Sequence, residues 1–233
     1  MNRVKKSLYI ACLITISSGY AAENETQDEA IMRFLAGGCD RAEIAHILAS
    51  DATIKSRTWN NVDGDECSLM HMVAAMGSSV MAEELVAIGM DVHKKTSWYG
   101  LSPLHYAAAQ GNADMVKWLI ERQANVNEPT ARQVTSLTMA VLARSPLSVR
   151  LLLEAGANPN VRTIAPQTPI LHAALDAYAN YPVTQNLEMV RLLIERGADV
   201  GALNYNGITA MDRGLLDARL APLFAACKFY VFV

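Results

Sequence analysis

The chain has 233 residues, of which 52% are hydrophobic, 18% are charged and 6% are aromatic. A composition this apolar and this weakly charged predicts a folded core and excludes an intrinsically disordered protein. The formal net charge of -3 offers no basic surface of the kind that binds nucleic-acid phosphates.

The first 21 residues have the three parts of a secretory signal peptide. Three basic residues lie within the first six, an apolar stretch covers 8–16, and small residues follow at 17–19, 21 and 22. The alternative is a membrane anchor, but the apolar stretch is shorter than the about 20 residues that span a bilayer. We therefore expect cleavage after Ala21 and a periplasmic or secreted protein. Cleavage would remove three of the 20 basic residues and none of the 23 acidic ones, which leaves a net charge of -6 and no membrane insertion.

Residues 23–58 are predicted to form a helical cap at the N-terminal end of the folded part. Within them, 28–36 and 41–49 have the length and pattern of two short helices. These helices form either a cap or a degenerate first repeat.

The rest of the chain repeats with a period near 33 residues. One unit begins at Gly100 with Gly-Leu-Ser-Pro-Leu-His-Tyr-Ala-Ala-Ala-Gln-Gly and continues to Asn127. His71 lies 34 residues before His105, and residues 151–160 read Leu-Leu-Leu-Glu-Ala-Gly-Ala-Asn-Pro-Asn. A fixed period of this length is the sequence signature of stacked structural repeats.

These units resemble the ankyrin repeat, whose pattern is G-x-T-P-L-H-x-A-A-x-x-G followed by an amphipathic helix and G-A-x-x-N. The resemblance covers residues 63–224. It implies an all-α repeat solenoid, made of stacked helix-turn-helix units with short β-hairpin-like turns between them. The predicted repeats are 59–95, 96–128, 129–161 and 162–201, followed by a degenerate capping repeat with an apolar tail over 202–233.

Two irregularities stand out against this pattern. The fourth repeat carries an insertion over 178–185, which we expect to form a surface loop between its two helices. This loop either recognises a partner or has no function. Surface loops are binding sites in some proteins, and a longer loop costs little stability in others. The tail Phe229–Val233 is apolar and either docks on the last repeat, pairs with a partner or reflects an altered reading frame.

The sequence contains no recognisable catalytic or metal-binding motif. The five histidines lack close ligand spacing, and no nucleophile elbow, P-loop or zinc-helix motif occurs. His71 and His105 stand at the family's T-P-L-H position, which implies a structural role, while Thr138 and Leu171 take that position in later repeats. We predict a protein that is not an enzyme and uses no cofactor or metal.

The cysteines that remain after cleavage are predicted to be thiols. They are Cys39, Cys67 and Cys227. The first two fall at opposite ends of a helical layer and the third several layers away, beyond disulfide reach.

The predicted binding surface comprises the turn tips and the concave face, which the resemblance implies are used for protein partners. The strongest tip runs from Lys94 to Tyr99, because Trp and Tyr are enriched in interface hot spots. Alternatively, Trp98 folds back on the neighbouring turn. Trp118 is instead expected in the core. The predicted partner-binding residues are Lys94, Lys95, Trp98, Tyr99, Tyr106, Arg132, Met139, Arg162, His172, Tyr178 and Tyr181.

The sequence therefore predicts an exported protein-protein interaction module. Its partner is an unidentified protein, and the chain is a monomer or part of a heteromeric complex. Two more specific roles remain open: an immunity protein that neutralises a toxin acting in the periplasm, and an accessory factor in periplasmic oxidative-stress protection.

Overall fold

The computed structural model describes residues 48, 53–60, 64–163, 168–180 and 184–227. The chain divides into two compact units, Met1–Ala124 and Asn125–Val233. The predicted signal peptide, most of the N-terminal cap and the apolar tail lie outside the described residues.

Within the described residues, the first unit contains a short hairpin and two helix-turn-helix pairs. In the hairpin, antiparallel strands pair Trp59 with Cys67. The first helix of one pair packs on the first helix of the other, and the second helices pack likewise. The elements are β1 (Trp59–Asn60), β2 (Glu66–Cys67), α1 (Leu69–Met76), α2 (Ser79–Ala87), α3 (Pro103–Gln110) and α4 (Ala113–Glu121).

Local sequence chemistry sets the ends of α3. Pro103 occupies its first turn, where the missing N–H costs nothing. Gly111 ends it in the left-handed conformation, with a φ of 69°. Ala107 and Ala108 are fully buried, so the helix is thin enough for α1 to approach closely. These features confirm the prediction for the inner helix of this repeat.

The core position predicted for Trp118 in α4 is confirmed. Its side chain is buried, and its Nε1–H donates to Glu83 Oε1 at 2.9 Å. The guanidinium of Arg122 lies 3.7 Å from the centre of the Trp118 ring and also donates to Glu83. Trp118 therefore fills the space between α2 and α4, where its one polar atom has an acceptor.

The part of the second unit that the structure describes contains three helix-turn-helix pairs. Their first helices pack on one another in chain order, and the second helix of the first pair packs on that of the middle pair. The helices are α5 (Ser136–Leu142), α6 (Pro146–Glu154), α7 (Ile170–Asn180), α8 (Thr184–Glu195), α9 (Ala210–Leu215) and α10 (Ala221–Cys227).

Asparagine side chains join successive turns in the second unit. Asn127 donates to Gly156 O at 2.9 Å and accepts from the backbone N–H of Asn158 at 2.7 Å. Asn160 repeats both bonds with Gly197 O and the Asp199 N–H. Exposed backbone groups just beyond the ends of α6 and α8 thereby gain side-chain partners.

The insertion in the fourth repeat departs from the prediction. We expected a loop over 178–185, but Tyr178–Asn180 belong to α7 and Thr184 begins α8, while 181–183 lie outside the described residues. The two helices have 11 and 12 residues, against 7 and 9 in α5 and α6. The reason is that Tyr178 is buried and Asn186 donates to Ala177 O at 3.0 Å, so the added residues have helical packing partners.

Cys67 is the cysteine whose surroundings the structure describes. Its side chain is buried and its Sγ donates to Trp59 O at 3.2 Å. Cys39 and the side chain of Cys227 lie outside the described residues. The prediction of thiols stays a prediction.

In the part of the chain that the structure describes, no helix is both long and apolar enough to cross a membrane.

Candidate functional site

A rigid turn follows α2 and carries the aromatic pair singled out in the sequence. Thr96 closes the turn: its N–H donates to Leu101 O at 2.9 Å, and its Oγ1 accepts from Leu101 N at 3.0 Å. Thr96 is buried while residues 97–98 are exposed. The turn therefore projects its tip from a fixed base.

The buried carboxylate of Asp65 holds the tip from the preceding hairpin. Asp65 is 0% exposed. Its Oδ1 accepts from the backbone N–H of Trp98 at 2.7 Å, and its Oδ2 accepts from that of Tyr99 at 3.3 Å. Nearby, Ser97 Oγ donates to Glu66 Oε2 at 3.1 Å. Two hydrogen bonds to one buried carboxylate therefore hold the backbone at the aromatic pair.

The side chain of Trp98 remains 67% exposed. A Cβ placed on Gly64 would lie 3.9 Å from one ring edge, an ordinary van der Waals contact. One edge of the ring thus lies near Gly64 of the neighbouring hairpin, and most of the residue's surface faces solvent. A large ring on a fixed backbone loses little conformational entropy on binding, as interface hot spots require.

Lys94, Lys95 and Tyr106 belong to the same unit as the aromatic pair. Lys94 and Tyr99 are half-buried and Lys95 is exposed. Tyr106 packs edge-on against His71, with ring centres 5.3 Å apart. The structure therefore brings these predicted residues together around one turn.

His71 anchors the base of this turn, which confirms its predicted structural role. Its Nδ1 accepts from Ser68 N at 3.0 Å, so its Nε2–H donates to Leu101 O, also at 3.0 Å. Burial lowers the pKa of His71 to about 4. The ring is consequently neutral at pH 7, as this pair of bonds requires. His105 accepts from Ser102 N at 3.1 Å in the same way.

Six of the predicted partner-binding residues belong to the second unit. Arg132 and Arg162 are exposed, and Met139 on α5 is half-buried. Tyr181 lies outside the described residues.

His172 occupies the structural histidine position that the sequence comparison gave to Leu171. Its backbone N–H donates to Pro169 O at 2.9 Å and its Nε2–H to Ala202 O at 2.9 Å. His71 likewise bonds the carbonyl of Leu101, and in both cases the carbonyl lies 30 residues after the histidine. The difference arises because Pro169 stands one position before α7, whereas the family pattern places the proline in the first turn of the helix.

Burial argues against direct partner contact for His172 and Tyr178. His172 is 0% exposed, and Tyr178 is buried on α7. His172 Nδ1 accepts from Arg213 Nη1 at 3.3 Å, and burial lowers its pKa. Both ring nitrogens are therefore used within the fold, and neither residue belongs to the exposed surface.

The last turn of the second unit carries an exposed aromatic that we did not predict. Tyr205 is 70% exposed, and Leu203 and Ile208 beside it are also exposed. Asn204 Oδ1 accepts from the N–H groups of Asn206 and Ile208 at 2.9 and 3.0 Å. The Asn-Gly pair in this segment is a turn signal, but the segment begins a repeat that we had judged degenerate.

Comparison with known proteins identifies the repeats. A family model described as ankyrin repeats in three copies matches residues 10–129 and 69–163, and a model of the single ankyrin repeat matches 167–205. The first match begins inside the predicted signal peptide.

The curated relatives are much longer proteins. The chain is 35% identical over 107 residues to "Ankyrin repeat, SAM and basic leucine zipper domain-containing protein 1" of Chlorocebus aethiops and to that of Papio anubis. It is 34% identical over 106 residues to the protein of that name from Saimiri boliviensis boliviensis. Each match covers 44% of this chain but only 22% of the relative's length.

Proposed function

The chain belongs to the ankyrin-repeat family, and on that premise we propose that it is an exported module that binds one protein partner through the aromatic turn of its first unit. Ankyrin repeats form an all-α solenoid that serves protein-protein interaction. Proteins of this family are generally not enzymes. The proposal adds two points that are specific to this chain: a location in the periplasm, and binding through the aromatic turn.

The exposure of Trp98 on a fixed backbone carries the proposal. A large exposed ring offers apolar area that a partner can cover, and the bonds from Asp65 fix the tip before any partner arrives. Fixing a contact residue in advance lowers the entropy lost on association. Lys94 and Lys95 precede Trp98 by four and three residues on the same turn, and their positive charge favours an acidic surface on the partner.

Export is supported by the charge and apolar pattern of residues 1–21. We expect N-terminal sequencing of the full chain, expressed in a Gram-negative host and recovered from the periplasm, to begin at Ala22. A chain that stays in the cytoplasm with Met1 in place contradicts export and leaves the binding proposal to be judged separately.

Photo-crosslinking tests the binding turn. The full chain carries benzoylphenylalanine at position 98 or, as a matched control, at position 205, where Tyr205 is equally exposed on another turn. We expect one protein to crosslink from position 98 and not from position 205. Crosslinking to the same proteins from both positions, or to none from position 98, contradicts the proposal. The identity of the captured protein, a toxin or a peroxide-defence enzyme, distinguishes the two specific roles.

A further inference from the structure

The second helices of the three pairs in the second unit form an open groove with a volume of about 630 Å³. Thr184 and Leu187 of α8 form one side, and Pro222 and Leu223 of α10 form another. The insertion in the fourth repeat contributes to this groove, because Thr184 lies within the inserted residues 178–185 and lines the groove. The groove thus depends on a feature that the other repeats lack.

The charges around the groove do not balance. Its lining includes four arginines and three glutamates: Arg150, Arg191, Arg196, Arg219, Glu154, Glu188 and Glu195. Each glutamate has an arginine partner, in the pairs Arg150–Glu188, Arg191–Glu195 and Arg196–Glu154.

Arg219 is the arginine in excess. Its backbone N–H donates to Asp217 Oδ1 at 2.8 Å. Its guanidinium has no carboxylate within ion-pair distance among the residues that the structure describes. The side chain is exposed at the groove, so its five donors face any ligand that enters.

The neighbouring pairs can also yield to a ligand. Arg196 lies 3.6 Å from Glu154, with 37% and 50% of the two side chains exposed. Ion pairs this exposed contribute little to stability, so an arginine can turn to an incoming carboxylate at low cost. Leu187 and Leu223 then offer an apolar floor between the charged walls.

We propose that this groove binds an acidic, partly apolar peptide segment of a protein partner. Carboxylates of the segment pair with Arg219 and Arg196, and an apolar side chain packs against Leu187 and Leu223. The three glutamates in the walls disfavour the continuous phosphate charge of a nucleic acid. This surface is separate from the aromatic turn, and its test does not involve that turn.

Fluorescence anisotropy of the full chain tests the groove. The probe is a short fluorescein-labelled peptide rich in glutamate and leucine. Its counterparts are the same peptide with lysine for glutamate and a labelled single-stranded oligonucleotide. We expect the glutamate peptide to bind in a salt-sensitive manner and the two counterparts to bind at least about tenfold more weakly.

Charge reversal locates the site. Arg219→Glu is expected to weaken binding of the glutamate peptide by about tenfold or more. The matched control is Arg132→Glu, an exposed arginine on a turn of the same unit outside the groove, which should change affinity less than twofold. Circular dichroism confirms that both variants fold. Any of three results would overturn the proposal. The glutamate peptide does not bind, the lysine peptide or the oligonucleotide binds equally well, or Arg219→Glu and Arg132→Glu have equal effects.

Discussion

Removing the carboxylate of Asp65 should loosen the aromatic turn while leaving its side chains in place. In Asp65→Ala the backbone N–H groups of Trp98 and Tyr99 lose acceptors at 2.7 and 3.3 Å. The neighbouring Glu66→Ala variant is the matched control. It removes an acceptor on the exposed side, whose partner is the Ser97 hydroxyl.

The expected loss of unfolding free energy follows from these contacts. A short hydrogen bond to a charged acceptor contributes about 1.5–3 kcal/mol, and a long one contributes less. In the variant, water can replace part of the lost hydrogen-bond energy, because the tip is exposed. Removing the buried carboxylate also removes the cost of its desolvation, which makes the net loss smaller. We therefore expect Asp65→Ala to cost about 2 kcal/mol and Glu66→Ala at most about 0.5 kcal/mol.

Two measurements on the full chain check this prediction. Urea unfolding followed by circular dichroism gives the free-energy difference. Hydrogen exchange at the amides of Trp98 and Tyr99 should accelerate by about thirtyfold in Asp65→Ala, which corresponds to 2 kcal/mol of local opening. Unchanged exchange, or losses of stability within 0.5 kcal/mol of each other for the two variants, would refute the role we assign to Asp65.

Two further predictions concern stability. Burial lowers the pKa of His71 from 6.5 to about 4, so as the pH falls the unfolded chain binds the proton before the folded chain does. The contribution of His71 to the free energy of unfolding is therefore complete above pH 6.5 and falls by about 3 kcal/mol as the pH drops to 4. Urea unfolding at pH 7 and pH 4 should show a smaller loss of stability in His71→Gln than in the wild-type chain. An equal loss in the variant and the wild type would contradict this role of His71. Gly214→Ala in α9 should cost about 2 kcal/mol instead of stabilising the helix, because the added Cβ would lie 2.1 Å from Cδ2 of the buried Phe224 ring. The same substitution in a Phe224→Ala background should be neutral or stabilising, and a Gly214→Ala protein more stable than wild type would show that the ring does not pack there.

Features set by local chemistry could be predicted from the sequence. Gly111 ends α3 because a helix end in the left-handed conformation favours a residue without Cβ. Trp118 lies in the apolar stripe of α4, and the structure buries it. The structural role of His172 could not be predicted, because it depends on whether Pro169 lies inside α7 or just before it. Proline is compatible with both places.

The candidate site could be predicted only in part. The exposure of Trp98 follows from its place on a turn. The carboxylate that fixes this turn comes from Asp65, 33 residues earlier, and neither residue indicates the other in the sequence. The groove beside Arg219 could not be predicted, because residues of three helices far apart in the sequence line it, among them Thr184, which the sequence placed in a loop.

The affinity of the partner crosslinked at position 98 tests the central claim most directly. Calorimetric titration should give a dissociation constant about thirtyfold higher for Trp98→Ala than for wild type, as expected for loss of a hot-spot residue. Tyr205→Ala removes an aromatic of similar exposure and should change the constant by less than about threefold. Equal dissociation constants for Trp98→Ala and the wild-type chain would show that the aromatic turn is not the binding surface.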